Sequence, residues 1–116
     1  MTTRLLRTAF PLTAALALAG GIASAAGPAT PLGQWMKANM GTALAGQDFG
    51  TLKTNFELVA SKPPPSGDYP QWATFAKSGS AAAAKSDAAG VKAACKQCHD
   101  SYKEKYRKDF PNRAFP

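Results

Sequence analysis

The sequence predicts an all-α protein that folds as a compact antiparallel four-helix bundle. Turn residues divide the chain beyond its N-terminal leader into four segments of helical length, and apolar residues recur at steps of three and four within them. No segment of the sequence shows the sustained apolar and polar alternation that is typical of a β-strand. The connections between segments are short, which favours antiparallel neighbours in a bundle.

The leader, residues 1–26, is predicted to be a cleaved secretory signal peptide. Arg4 and Arg7 precede an apolar stretch that is too short to span a bilayer as a stable helix, and the small residues at 23–25 form an A-x-A cleavage site. No cysteine lies near this site, so a lipid anchor is not expected. We expect an exported, periplasmic protein without a membrane anchor, in which residues 27–116 form a single domain.

The first two helices have recognisable starts. Thr30 followed by Pro31 is a favourable N-cap and first-turn pair, and the helix it opens is expected to end near Gly46. Asp48 can cap the second helix. One apolar stripe runs along that second helix at steps of three and four: Phe49, Leu52, Phe56 and Val59.

The last two helices follow a break. The segment 61–70, "SKPPPSGDYP", contains prolines that cannot continue a helix and is predicted to be a stiff linker. Pro70 is expected to start the third helix, Ser86 or Asp87 to cap the fourth, and the fourth to end before "FPNRAFP". Across all four helices the predicted apolar lining and core are Leu32, Trp35, Phe49, Phe56, Trp72, Phe75, Tyr102 and Tyr106.

Charge and size point to a bound group. Without Arg4 and Arg7 the chain keeps 12 basic residues against 7 acidic ones, and the excess lies late in the sequence. For an exported protein this charge indicates a solvated helix face or steering toward an acidic partner, and not a nucleic-acid partner. A domain of this size has a marginal core, and two cysteines three positions apart would constrain little of the unfolded chain. A bound prosthetic group is therefore the expected extra source of stability.

The two cysteines and the one histidine of the chain all fall within five consecutive residues, as Cys95, Cys98 and His99. On a helix, residues three or four positions apart share a face, so both sulfurs can meet one edge of a flat group while the imidazole reaches over its face. The C-x-x-C-H pattern is the attachment signature of c-type haem. It predicts one covalently attached haem, with thioethers at Cys95 and Cys98 and with His99 as the proximal axial iron ligand.

Two other interpretations of this cluster are weaker. A thioredoxin-like dithiol lies between a strand and a helix, and the sequence predicts no strands. A structural zinc site needs a fourth ligand, and the chain has no further cysteine or histidine to supply it. Covalent haem is the hypothesis that the pattern favours.

The position of the motif, in the last of four helices, adds a family resemblance. The stretch "CKQCHDSYKEKYR" near the C-terminus resembles the cytochrome c′ superfamily, the class II c-type cytochromes, and the resemblance extends to "WMKANM" and to the region around Trp72. It implies a four-helix bundle that binds one haem through its C-terminal helix, often as a homodimer paired through the first two helices. The chain departs from the family in two respects. It is short, and it carries Lys103 at the position four residues after the proximal histidine, where the family usually has an arginine.

The resemblance does not decide which ligand, if any, binds the distal side of the iron. Some members keep the sixth position empty and bind nitric oxide or carbon monoxide, whereas low-spin members supply a methionine from the first helix and carry electrons. Met36 and Met40 are the methionines left after signal removal, and their spacing places them on one face of that helix. "WMK" resembles the stretch that carries the axial methionine, so Met36 is the predicted ligand and Met40 the alternative.

The predicted function is electron transfer by a mono-haem cytochrome with His/Met axial ligation. The sequence contains no catalytic constellation, so the protein is not expected to be an enzyme. One alternative is a five-coordinate cytochrome c′ that binds nitric oxide or carbon monoxide. Another is a haem subunit whose basic C-terminal surface docks on a larger oxidoreductase. The expected partner is a redox protein, and an acidic surface on it would complement the basic excess.

Overall fold

Helices make up most of residues 29–116, the part of the chain that this computed structural model describes. The predicted signal peptide, residues 1–26, lies outside the described residues. Within the described part there are four helices and no strand, which confirms the all-α class. None of these described helices is both long enough and apolar enough to cross a membrane. The helices are α1 (residues 31–45), α2 (Phe49–Ser61), α3 (Trp72–Ala84) and α4 (residues 88–109).

Side-chain caps fix three of the four helix starts where the sequence predicted them. Thr30 caps α1, Asp48 caps α2 and Asp87 caps α4. Each cap oxygen accepts a hydrogen bond from the backbone N–H three residues later, at 2.9 to 3.1 Å, and so satisfies a donor that has no partner within the helix. These starts are decided locally, by residue type and position.

The predicted start of α3 at Pro70 is wrong by two residues. The chain first makes a tight turn, closed by the Trp72 N–H donating to the Tyr69 carbonyl at 3.2 Å, and the helix begins at Trp72. The linker before it is held by side chains as well as by its prolines, since the Trp72 indole N–H donates to the Val59 carbonyl at 2.8 Å. This bond joins the two helices that flank the linker.

Two clusters of buried side chains form the core, and each draws on all four helices or their flanking residues. In one cluster Leu32, near the start of α1, lies with Tyr102 and Tyr106, in the second half of α4. In the other cluster Met40, in the second half of α1, lies with Val91, near the start of α4. α1 and α4 therefore run in opposite directions past each other.

Most of the predicted core is buried. Leu32, Phe56, Trp72, Tyr102 and Tyr106 are 3 to 8% exposed. Three further predicted core residues are only half-buried, although they pack against the clusters: Trp35, Phe49 and Phe75.

Tyr69, in the linker, is the core residue that the sequence prediction missed. It is 4% exposed, its ring lies 5.1 Å from that of Tyr102, and its hydroxyl donates to an Asp109 carboxylate oxygen at 2.9 Å. The linker therefore contributes an aromatic side chain to the core as well as connecting α2 with α3.

Gly79 on α3 is a point where α2 and α3 approach closely. A Cβ at this position would overlap the ring of Phe56, whereas a Cβ at Gly67 in the linker would meet nothing within 4 Å. Gly79→Ala should gain about 1 kcal/mol in helix propensity but lose more by overpacking, which costs about 1–3 kcal/mol. We expect a net loss of stability in chemical denaturation, with Gly67→Ala as the control that loses none. Equal stability of the two variants would contradict the close packing.

Candidate functional site

A cavity of about 550 Å³ opens between α1 and α4, and side chains of α2 and α3 close its floor. The five residues predicted from the sequence to bind haem or iron all border it: Cys95, Cys98, His99, Met36 and Met40. Most of the remaining wall is apolar, and its larger members are Leu32, Leu44, Leu52, Phe56, Val59, Trp72, Phe75 and Tyr102. The fold thus brings residues separated by about sixty positions in the sequence to one site.

Each helix that flanks the cavity contains one π-helical turn at the candidate ligands. In α1 the π turn, Lys37–Gly41, directly follows Met36 and includes Met40, and in α4 the π turn, His99–Lys103, begins at the histidine. π turns are rare, and they frequently occur at functional sites. No pattern in the sequence predicted these π turns.

The π turns keep each line of cavity residues on one side of its helix. Residues four apart in an α-helix are rotated by about 40° beyond a full turn, so a line of steps of four drifts around the helix. A π turn takes more residues per turn and reduces that drift. Both helices carry such lines at the cavity, namely Leu32, Met36, Met40 and Leu44 on α1 and Cys95, His99, Lys103 and Arg107 on α4.

Asparagine side chains contact the backbone at the π turn of α1. The Asn39 amide donates to the Trp35 carbonyl at 2.9 Å, and the Asn55 amide of α2 donates to the Asn39 carbonyl at 3.4 Å. These bonds supply partners to carbonyls where the regular helical ladder is interrupted. The turn beside Met36 and Met40 is therefore connected both within α1 and to α2.

Cys95 and Cys98 are half-buried free thiols on consecutive turns of α4. Burial raises the pKa of the Cys98 thiol to about 11, and the neighbouring Cys95 adds to the effect. Burial also raises the pKa of Cys95. Both sulfurs are therefore protonated at neutral pH, and as thiols they are weaker nucleophiles than thiolates.

His99 lies on the exposed rim of the cavity. Partial loss of water lowers the pKa of its imidazole below the usual value, and the Lys103 ammonium lowers it further, while Asp100 acts in the opposite sense. A lowered pKa keeps the ring neutral at pH 7, with one nitrogen lone pair free to bind a metal. The ring is thus in the protonation state that iron ligation requires.

The two methionines differ in their surroundings. Met40 is 9% exposed and belongs to the core cluster at the far end of α1, whereas Met36 is half-buried and packs against both clusters. Met36 therefore lies at the middle of the cavity's length, and Met40 lies toward the end that also contains Cys95. Both thioethers remain candidates for the distal side.

The charged side chains that border the cavity are basic. Lys37, Lys103 and Arg107 border it, and within residues 29–116 no aspartate or glutamate does. Arg107 also donates to a Glu104 carboxylate oxygen at 3.3 Å. An apolar interior with a cationic border suits a flat apolar ligand that carries negative groups at its edge.

One end of the cavity is polar inside as well. Tyr106 lines this end and is 4% exposed, and among the described residues its hydroxyl has no hydrogen-bond partner. Thr30, which is 5% exposed, lies along the same cavity. Tyr106 is one of the predicted core residues, but the apolar spacing of α4 gave no indication that its hydroxyl would lack a hydrogen-bond partner.

Comparison with known proteins adds no relative. No protein-family model, curated protein or solved structure matches the chain. Within the described residues, no three side chains of histidine, cysteine, aspartate or glutamate converge so as to hold a metal ion. The site must therefore be interpreted from its own chemistry.

The residues of the cavity fit the haem that the C-x-x-C-H pattern predicts. Two thiols and a neutral imidazole lie along one helix, a thioether faces them from another helix, and the wall between is apolar. The unpartnered Tyr106 hydroxyl and the basic residues supply donors for anionic groups. These side chains would hold a covalently bound haem if one occupied the cavity.

Proposed function

We propose that this protein is an exported, periplasmic mono-haem c-type cytochrome of the cytochrome c′ type that transfers electrons. The observation that carries the proposal is the convergence of Cys95, Cys98, His99 and two methionines on one apolar cavity. In this proposal the helices form an antiparallel four-helix bundle, with haem attached to α4. The opposite directions of α1 and α4 support that arrangement.

On the proximal side, residues of α4 hold the group. Cys95 and Cys98 would hold the haem through thioethers, and the neutral imidazole of His99 would bind its iron. Because all three side chains come from one helix and its π turn, their relative positions are fixed by backbone hydrogen bonds. When bound, haem supplies the one-electron iron couple.

On the distal side, Met36 is the proposed axial ligand and Met40 is the alternative. A thioether is a soft, neutral ligand that favours reduced iron and raises the reduction potential. Met36 sits at the junction of both core clusters and directly before the π turn that Asn39 and Asn55 brace. An iron with protein ligands on both sides would rearrange little between oxidation states, which suits electron transfer.

The first test is a redox titration followed by the visible spectrum of the exported protein. We expect a single reversible one-electron transition with the absorption bands of a c-type haem. A colourless protein, or one without a reversible transition, would contradict the proposed function.

The cationic border of the cavity predicts the charge of the partner surface and the salt dependence of the electron-transfer rate. Lys37 and Lys103 flank the opening on opposite helices, so a redox partner with an acidic surface is favoured. We expect oxidation by a small anionic iron complex to slow several-fold as the Debye length falls from about 30 Å at 0.01 M salt to about 8 Å at 0.15 M. Stopped-flow absorbance measures this rate.

A matched pair of charge reversals locates the effect. Lys103→Glu should slow the reaction with the anionic complex and weaken its salt dependence. Lys77→Glu changes the net charge equally but lies on α3, beside a shallow groove away from the cavity, so it should have little effect. Equal slowing by both variants would mean that net charge, and not the border of the cavity, steers the reaction.

A further inference from the structure

The hydroxyl of Tyr106 stands apart from those of the other two described tyrosines. The Tyr69 hydroxyl donates to Asp109 at 2.9 Å, and the Tyr102 hydroxyl accepts from the backbone N–H of Gln71 at 2.9 Å. The Tyr106 hydroxyl is buried and has no partner among the described residues. Buried polar groups are nearly always hydrogen-bonded, so an exception that lines a cavity points to a ligand.

The surroundings of Tyr106 indicate the kind of ligand. Its ring stacks on Trp72 and packs against Tyr69 and Phe110, so a phenylalanine would fill the same space. What tyrosine adds is a single hydroxyl donor. Lys103 and Arg107, on the same helix, line the cavity with it and bring positive charge. A hydroxyl donor that shares a cavity with two cations suits a carboxylate.

The position of Tyr106 along α4 fits the shape of haem. Tyr106 lies eight residues beyond Cys98, which is about 12 Å at the rise of an α-helix and less through the π turn at His99–Lys103 between them. The vinyl groups that form thioethers and the two propionates lie on opposite edges of the porphyrin. Tethering one edge at Cys95 and Cys98 therefore directs the propionates away from the thiols, and the end of the cavity that contains Tyr106 is the polar one.

We propose that Tyr106 is a positioning residue whose hydroxyl donates a hydrogen bond to a haem propionate, with Lys103 and Arg107 balancing the propionate charge. This inference rests on the proposed function, because it requires the haem. It assigns to one buried hydroxyl a role that packing does not explain. It also explains why the polar end of the cavity is built on α4, the helix that holds the tethers.

The test compares Tyr106→Phe with Tyr69→Phe in the haem-loaded protein. Tyr69→Phe is the matched control, since it removes a buried tyrosine hydroxyl that does not line the cavity. The readouts are the propionate bending vibration in the resonance Raman spectrum and the reduction potential. In Tyr106→Phe we expect the vibration to shift and the potential to fall, because a propionate without its donor places more negative charge near the iron.

The outcomes separate the two proposals. If Tyr106→Phe leaves both readouts unchanged in a protein that carries covalent haem, the propionate role is wrong while the cytochrome function stands. If Tyr69→Phe shifts both readouts equally, Tyr106 acts through general packing and its assignment is also wrong. If the exported wild-type chain carries no haem, both proposals fail together.

Discussion

Replacing both Cys95 and Cys98 with alanine is expected to leave the exported chain without covalent haem and without a cooperative unfolding transition. A haem in this cavity would bury several hundred Å² of apolar surface, worth on the order of 10 kcal/mol before ordering costs. The protein chain alone is small, with a marginal core, and a cavity of about 550 Å³ runs through that core. The stability of the fold should therefore depend on the group that fills it.

Circular dichroism and urea denaturation measure this dependence. The double cysteine variant should show reduced helicity and a broad, non-cooperative transition. Gln97→Ala is the control, because Gln97 is exposed on the same helix between the two cysteines and should keep a sharp transition. A native-like, cooperatively unfolding double variant would show that the helices do not need haem to fold.

Replacing Met36 with alanine is expected to convert a low-spin, six-coordinate iron into a high-spin iron that binds carbon monoxide rapidly. Loss of the thioether removes the sulfur-to-iron band at the red end of the oxidised spectrum and lowers the reduction potential. The visible spectrum and carbon monoxide binding kinetics measure the change. Met40→Ala is the matched control on the same face, and it should keep the band.

The opposite behaviour of the two methionine variants would identify Met40 as the distal ligand. If Met40→Ala loses the band and Met36→Ala keeps it, the distal ligand comes from within the π turn of α1 and not from the residue before it. If the unmodified protein is already high-spin and binds carbon monoxide rapidly, neither methionine ligates. The five-coordinate, gas-binding function would then replace electron transfer.

The helix limits could be predicted because their causes are local. Each of three helices begins after a residue whose side-chain oxygen accepts a hydrogen bond from a backbone N–H of the helix, namely Thr30, Asp48 or Asp87. Only a few residue types have such an oxygen, so these starts can be recognised in the sequence. Tyr69 could not be placed in the core in the same way. It lies in a proline-rich linker, and its burial depends on Tyr102 and Tyr106 of α4, which are distant from it in sequence.

The π turns were missed because the apolar steps of an α-helix and of a π turn overlap. Apolar residues four positions apart occur in α-helices and in π turns. Only an unbroken run of steps of four distinguishes a helix with a π turn from a regular α-helix. The run from Cys95 through His99, Lys103 and Arg107 is recognised only because all four residues line the cavity, and two of them are basic, so no apolar pattern marked it in the sequence. The missing hydrogen-bond partner of the Tyr106 hydroxyl could not be predicted from the sequence either. It depends on which side chains lie near the hydroxyl in the folded protein.

Covalent attachment of haem to Cys95 and Cys98 is tested most directly by extracting the exported protein with acidified organic solvent and measuring the intact mass of the chain. We predict that the colour stays with the protein, that the mass corresponds to one haem per chain, and that the peptide containing Cys95 and Cys98 carries it. Haem that passes into the solvent, or a chain with two free thiols and no added mass, would contradict the proposed function.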